Sequence, residues 1–390
     1  MHINMNTAKP TPSNLESPVS IALIPLLIKN AGTTKGEPFE LRPIMKRLSF
    51  ALSFSVTLVF FGFASSMLQA ETVKVLVLAT FAEGMQPLVK QYPDLQLVSF
   101  SSSEEALREI GDADALVGLS AADPTGEFLK AGKNIKWLAH GSAGVEETLS
   151  DPMVKNADFI LTNMKIIQGP QIADHAMALL LNFTRDLKHF NKEMETGWHR
   201  QADLPMIQLR GKTMLVVGLG GIGTQVAERA FAFGMRILAV DPKDIPYMRA
   251  VEYVGKPDEL DELLAQADVV VNCTPHTPET EKMYGPLQFS VMKDGVYFIN
   301  VSRGAIVDTD ALTAALQSGK VRAAGLDVVD PEPLPNDHPL WSMSNVTITP
   351  HLATLSDGRI EQYQKAFNDN VARFMSGRPL RNIVDKQKGY

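Results

Sequence analysis

The sequence predicts an α/β protein built from two doubly wound parallel-sheet domains. Three observations carry that expectation. Short, continuously apolar runs recur from Val73 to Pro350 and alternate with amphipathic stretches, as strands covered on both faces and their covering helices do. The runs fall into two series, with a long helical pattern between them. A chain of 390 residues is also long for one domain and comfortable for two.

The first series reads VKVLVLA from Val73, LQLVSF from Leu95, DALVGL from Asp114, IKWLAH from Ile135 and FILTN from Phe159. A helix is expected from about 169 to 194, because Ile172, Ala176, Leu179, Leu180 and Phe183 keep a helical period. The second series begins at Thr213 with TMLVVGLG. It continues with RILAVD, DVVVNCTP, VYFINVS, RAAGLDVV and VTITP. A last helical stretch, 354–376, is placed to return to the first domain.

Before all of this lies MKRLSFALSFSVTLVFFGFASSMLQAE, residues 45–71. Lys46 and Arg47 precede an uncharged, mostly apolar run from Leu48 to Leu68, and Ala70 suits the end of a processed segment. That is the layout of a secretory signal peptide, which makes the protein periplasmic or exported. The run is also about long enough for an uncleaved inner-membrane anchor, and a non-functional segment would leave the protein cytoplasmic. A buried core helix is the weakest reading, since the run has no polar face. Residues 1–44 read as neither a domain nor a targeting sequence and fit a start codon placed too early. They and residues 45–70 hold six Lys/Arg and three Asp/Glu, so their loss would take the net charge from −7 to −10. With no basic stripe, nucleic acid is not an expected partner. The single cysteine, Cys273, excludes a disulfide framework. No metal-ligand spacing stands out.

The run MLVVGLGGIGTQVAERAF places Gly218, Gly220 and Gly223 at G-x-G-x-x-G spacing, after an apolar strand and before a helix. In that context Gly218 allows the tight turn, Gly220 lets a pyrophosphate approach, and Gly223 lets helix and strand pack closely. The amides of Gly221 and Ile222 would face the phosphates. Asp241 ends the next strand, eighteen residues after Gly223. A carboxylate there accepts from ribose hydroxyls and repels a 2′-phosphate, so NAD is expected over NADP, with Lys243 weakening the preference. The domain that carries this loop is therefore expected to be a Rossmann domain.

A different question is raised by FINVSRGAIVD, residues 298–308: Arg303 puts a permanent charge at the end of a buried strand. Such a charge needs a partner, either a fixed carboxylate or an arriving anion. Asp327 and Glu332 in AGLDVVDPEPLP, and His351 in VTITPHLAT, also follow strands of the second series. In an open α/β sheet the crevice at the carboxyl ends of the strands takes the ligand. The chemistry that needs this set is hydride transfer to or from a 2-oxo or 2-hydroxy acid. Arginine grips a carboxylate bidentately. Histidine donates and accepts the carbonyl proton, and Glu332 would hold the tautomer of His351. Arg303 is then expected to stand unpaired until substrate arrives, although Asp308 or Asp330 could pair with it structurally.

Over residues 73–385 the chain resembles the D-isomer-specific 2-hydroxyacid dehydrogenases. The stretches IADHAMALLLNFTRDL, LRGKTMLVVGLGGIG, NCTPHTPETEKMYG, FINVSRGAIVD, GLDVVDPEPLPNDHPLW and TPHLAT carry the likeness. The resemblance implies a Rossmann NAD-binding domain (171–351) inserted in a flavodoxin-like substrate-binding domain (71–170 and 352–390), and a homodimer. It implies Arg303 as carboxylate anchor, Glu332 and His351 as the acid–base pair, and Asp327 as a contact to the nicotinamide carboxamide. Thr274, Pro275, Val301 and Ser302 would line the cofactor site, and the backbone of Ala143 and Gly144, in HGSAGVEE, would lie near the substrate. The family often has Asp where Glu146 stands, a change expected to matter little. No regulatory domain is seen after the last helix. A cofactor sensor without turnover, or an exported protein with an unused site, are the competing readings. His175 and Cys273 read as packing residues, Trp341 as packing more than substrate contact, and His276 as without a function.

Overall fold

The computed structural model describes residues 71–200, 204 and 206–390. The expected signal-like segment (45–70) and the extension before it lie outside these residues. Among the described residues no helix is long and apolar enough to cross a membrane.

Among the described residues twelve strands form two all-parallel sheets. The first holds β1 (Val73–Leu78), β2 (Leu95–Phe100), β3 (Ala115–Leu119), β4 (Trp137–His140) and β5 (Ile160–Thr162) in the order β2-β1-β3-β4-β5. The second holds β6 (Thr213–Val217), β7 (Arg236–Val240), β8 (Tyr253–Gly255), β9 (Val269–Asn272), β10 (Val296–Asn300), β11 (Val321–Leu326) and β12 (Val346–Ile348). Its order is β12-β11-β10-β9-β6-β7-β8. Both orders reverse direction once, beside β1 and beside β6, and such switch points open the crevices where ligands bind.

Each sheet is covered on both faces, which explains the unbroken apolar runs. In the second, Leu215, Val217, Leu238, Val240 and Phe298 pack on one side. Met214, Val216, Ile237, Ala239 and Ile299 pack on the other, with helix Gly169–Thr184 and helix Gly221–Ala232 against each other there. In the first sheet, Leu76, Leu116 and Leu138 face one cluster, and Val75, Val77, Val117 and Trp137 face the other. The last helix, Arg359–Met375, packs on helix Ala79–Gln91 with Phe81 and Phe367 edge to face at 4.9 Å. The chain therefore does return to the first sheet.

The structure corrects three expectations about elements. The helix expected over 169–194 is two helices, Gly169–Thr184 and Leu187–Glu193. Asp186 between them adopts φ 54°, a left-handed turn that aspartate tolerates better than most residues. The last helix begins at Arg359, not 354, after Gly358, whose amide bonds to the Asp357 carboxylate. The edge strand β8 was not expected, because three residues give too short a period to read.

Candidate active site

The glycine turn is built as its spacing requires. Gly218 has φ 89°, and a Cβ there would stand 2.8 Å from the Cys273 carbonyl oxygen. At Gly223 a Cβ would stand 1.9 Å from the Gly218 oxygen, so helix and turn pack with no room between them. Gly220, by contrast, faces open space within 4 Å. Gly221 and Ile222 begin helix Gly221–Ala232, so their amides have no partner within the helix. This cradle, open at Gly220 and lined by helix-start amides, fits a pyrophosphate. Asp241 is buried, and its two oxygens accept the amides of Leu219 at 2.8 Å and Lys243 at 2.9 Å. Each oxygen keeps a lone pair for a ribose hydroxyl. The Lys243 ammonium is engaged elsewhere, 4.6 Å from the centre of the Tyr390 ring.

The opposite wall is knitted by two asparagines that the sequence reading did not single out. Asn272 ends β9 and Asn300 ends the neighbouring β10, and both are buried. Asn272 Nδ2 donates to Asn300 Oδ1 at 3.1 Å. Asn272 Oδ1 accepts the Thr274 hydroxyl at 2.7 Å, and Asn300 Oδ1 accepts the Ser302 amide at 3.2 Å. The Ser302 hydroxyl donates to the Thr274 carbonyl, and the Val301 amide bonds to the Asn272 carbonyl. The Pro275 carbonyl accepts the Thr280 hydroxyl. Thr274, Pro275, Val301 and Ser302 are thus one fixed rim beside the glycine turn. Two adjacent strands each ending in asparagine, VVVN and YFIN, were the available signal. Burial pushes the Cys273 thiol, next to this rim, up to about 12.

Asn300 Nδ2 also holds the Arg303 carbonyl at 3.0 Å. The guanidinium is not unpaired, contrary to expectation. Nη1 donates to the Ser302 carbonyl at 2.7 Å, and Nη2 meets Glu146 Oε2 at 3.4 Å. Neither Asp308 nor Asp330 supplies that partner. The Asp308 carboxylate caps helix Thr309–Gln317 through the Ala311 amide, and the Asp330 carbonyl takes the Thr309 hydroxyl.

Asp327 is almost fully buried. Its oxygens accept the Thr349 hydroxyl at 2.6 Å and the amides of Leu352 and Ala353 at 3.0 and 3.1 Å. His175 Nε2 bonds to the same Thr349 hydroxyl at 2.8 Å and lies 3.5 Å from Asp327. The residue implied as a cofactor contact therefore also ties down the turn that carries His351. The His351 amide donates to the Asp327 carbonyl at 2.8 Å, and its Nδ1 meets Glu332 Oε1 at 2.7 Å. Both side chains are about two-fifths exposed, so the pair is open to solvent.

From the first sheet comes the loop after β4. Ser142 Oγ bonds to His140 Nδ1 at 2.8 Å and donates to the Gly144 carbonyl at 2.5 Å. His140 is fully buried, and burial lowers its pKa below the ordinary 6.5. The Ala143 amide donates to Gln168 Oε1, and its carbonyl accepts Asn163 Nδ2. Gly144 closely approaches the arginine, since a Cβ on it would collide with Arg303 Nη2. Trp341 is half exposed, and its indole N–H donates to the Pro335 carbonyl at 2.9 Å. No group of metal-ligating side chains is found among the described residues.

Known proteins match this architecture. A profile of the D-isomer specific 2-hydroxyacid dehydrogenase NAD binding domain covers residues 177–353. A D-3-phosphoglycerate dehydrogenase of Archaeoglobus fulgidus is 34% identical over 80% of the chain, which spans 59% of that relative's length. A hydroxypyruvate reductase of Blautia hydrogenotrophica is 34% identical over 74% of the chain and 90% of its own length. Among solved structures, a D-isomer specific 2-hydroxyacid dehydrogenase family protein from Aeromonas salmonicida is 30% identical. It superposes with a TM-score of 0.69 over 81% of this chain and 99% of its own. A family member from Xanthobacter autotrophicus in complex with NADPH (26% identical, TM-score 0.68) covers 82% of this chain and 100% of its own. A D-lactate dehydrogenase from Aquifex aeolicus complexed with NAD and lactic acid (28% identical, TM-score 0.63) covers 80% and 99%. With 34% identity to the Blautia hydrogenotrophica relative, matched along 90% of its length, the chain belongs to the D-isomer specific 2-hydroxyacid dehydrogenase family.

Proposed function

We propose that the protein is an NAD-dependent oxidoreductase that interconverts a small D-2-hydroxy acid and its 2-oxo acid. The observation that carries this reading is the 2.7 Å contact between His351 Nδ1 and Glu332. It fixes the ring so that Nε2 is the nitrogen that moves a proton. The cradle at Gly218, Gly220 and Gly223 would hold the dinucleotide, which when bound would supply or take the hydride at C2. In reduction, imidazolium Nε2 gives its proton to the carbonyl oxygen as that oxygen gains charge. In oxidation the neutral ring takes it back, and Glu332 stabilises the charged ring in both directions. Arg303 holds the substrate carboxylate, with the Gly144 backbone beside it. Residues 171–351 would carry the cofactor, and 71–170 with 352–390 the other wall of the crevice.

Asp241 favours NAD over NADP, because its charge would face a 2′-phosphate and Lys243 is turned to Tyr390. A homodimer is supported by Met194 and Trp198, which are 78% and 96% exposed on one segment and would suit burial against a second copy. Light scattering of the purified chain tests that point. Export through the 45–70 segment is tested by amino-terminal sequencing of protein recovered from cells.

The deciding assay is NADH oxidation by the purified protein with glyoxylate, hydroxypyruvate, pyruvate, 2-oxoglutarate and phosphohydroxypyruvate, with NADPH in parallel. Turnover with at least one acid, lost in His351→Ala and in Arg303→Ala while NADH still binds, is the expected result. Full activity in both variants sinks the mechanism. Tight NADH binding with no turnover of any acid would instead favour a sensor.

A further inference from the structure

Arg303 and Glu146 are 157 residues apart and come from different sheets. Arg303 follows β10, and Glu146 opens the short helix Glu146–Leu149 after β4. Their side chains are 31% and 24% exposed, so both are partly shielded from solvent. Gly144 makes the crowding plain: a Cβ there would lie 1.6 Å from Arg303 Nη2 and 2.5 Å from Glu146 Oε2. The loop, the carboxylate and the guanidinium share one small volume. The Arg303 backbone is pinned by Asn300 and its Nη1 by the Ser302 carbonyl. Only Nη2 is turned toward a carboxylate, and that carboxylate belongs to the protein.

We propose that Glu146 occupies the carboxylate seat of Arg303 before substrate binds, and that the substrate carboxylate displaces it. The inference rests on the reading of Arg303 as carboxylate anchor. A single contact at 3.4 Å is long for a charged pair and involves one oxygen, whereas a free carboxylate can take two parallel bonds at about 2.8 Å. Glu146 therefore neutralises the cation yet gives way. Its reach is what matters. Aspartate is shorter by one carbon–carbon bond, about 1.5 Å, and would stand too far back to hold Nη2. Glutamate at this position makes the protein a competitor of its own substrate and sets the substrate affinity below what Arg303 alone would give.

The test uses the full chain with NADH, oxamate as an unreactive 2-oxo acid analogue, and the variants Glu146→Gln and Glu146→Asp. Glutamine keeps an oxygen to orient Arg303 but removes the charge. Calorimetry should show oxamate binding about fivefold tighter in Glu146→Gln, the scale of a partly exposed ion pair. Glu146→Asp should fall between that variant and the parent. The KM for the best 2-oxo acid should drop in step, with kcat within about twofold and the KM for NADH unchanged. Unchanged or weaker oxamate binding in Glu146→Gln overturns the proposal and makes Glu146 a support for Arg303. So does a gain that persists in the Arg303→Ala background, or oxamate that binds none of these proteins. Oxamate that binds and tightens in a protein with no turnover would defeat the oxidoreductase reading and leave this inference standing.

Discussion

Replacing Gly304 with alanine should damage both stability and catalysis, by an amount the packing dictates. Gly304 follows Arg303 and begins a short 3-10 turn. A Cβ there would lie 1.8 Å from the Val329 carbonyl oxygen, 2.0 Å from its carbon and 2.6 Å from the Asp330 amide nitrogen. All three are backbone atoms, so no side chain can swing away. Ordinary contact begins near 3.4 Å, so the two segments must separate by about 1.6 Å. Overpacking of this kind costs about 3 kcal/mol or more, which for a domain of this size lowers Tm by about 6 to 12 °C. The separation also pulls apart the segment carrying Arg303 and the one carrying Asp327 and Glu332. A displacement on the order of 1 Å in a reacting constellation costs about a hundredfold in rate. Scanning calorimetry and kcat/KM for the best 2-oxo acid are the assays. An unchanged Tm together with kcat/KM within about twofold of the parent would refute the packing argument.

Three more outcomes are expected. Gly144→Ala meets the flexible end of Arg303 rather than backbone, so Tm should hold while the KM for the 2-oxo acid rises about tenfold with the NADH KM unchanged; a lost fold would contradict it. Burial pushes the pKa of His140 down in the folded protein, while the unfolded chain takes up a proton below the ordinary value of 6.5. Stability tied to His140 is therefore present above that value and lost progressively as pH falls below it toward the lower folded pKa. Melting curves between about pH 7.5 and about pH 5.5 should show a smaller acid loss in His140→Gln, and equal slopes would count against this. The Cys273 thiol, held up to about 12 by burial, should resist iodoacetamide at mildly alkaline pH until denaturant is added; rapid alkylation of the native protein would show an open thiol.

Much of the architecture could be read from the sequence, because strands buried on both faces leave long apolar runs and a glycine turn has few alternatives. Eleven of the strands announced themselves in this way, and only β8, three residues at a sheet edge, did not. The break at Asp186 was hidden because apolar periodicity continues on either side of a single left-handed residue. At the site, the contact between Glu332 and His351 followed from the chemistry a histidine needs. The partner of Arg303 did not, since a carboxylate 157 residues away on another sheet leaves no local trace. Asn272 and Asn300 were missed for the opposite reason: each looks like an ordinary polar strand end, and only the pairing of β9 with β10 makes them a unit.

His351 has one more property. Its backbone sits at φ 55°, a conformation that costs a side-chain-bearing residue about 1 kcal/mol and glycine almost nothing. The turn holds because Asp327 takes the two amides that follow, and because the His351 amide is itself bonded to the Asp327 carbonyl. The imidazole is thus a poor tenant of its own position. Left to selection for thermal robustness alone, position 351 would drift toward glycine. A side chain carried at that cost is what the proposed proton-transfer role of His351 asks for, so His351→Gly should hold or raise Tm while activity is lost.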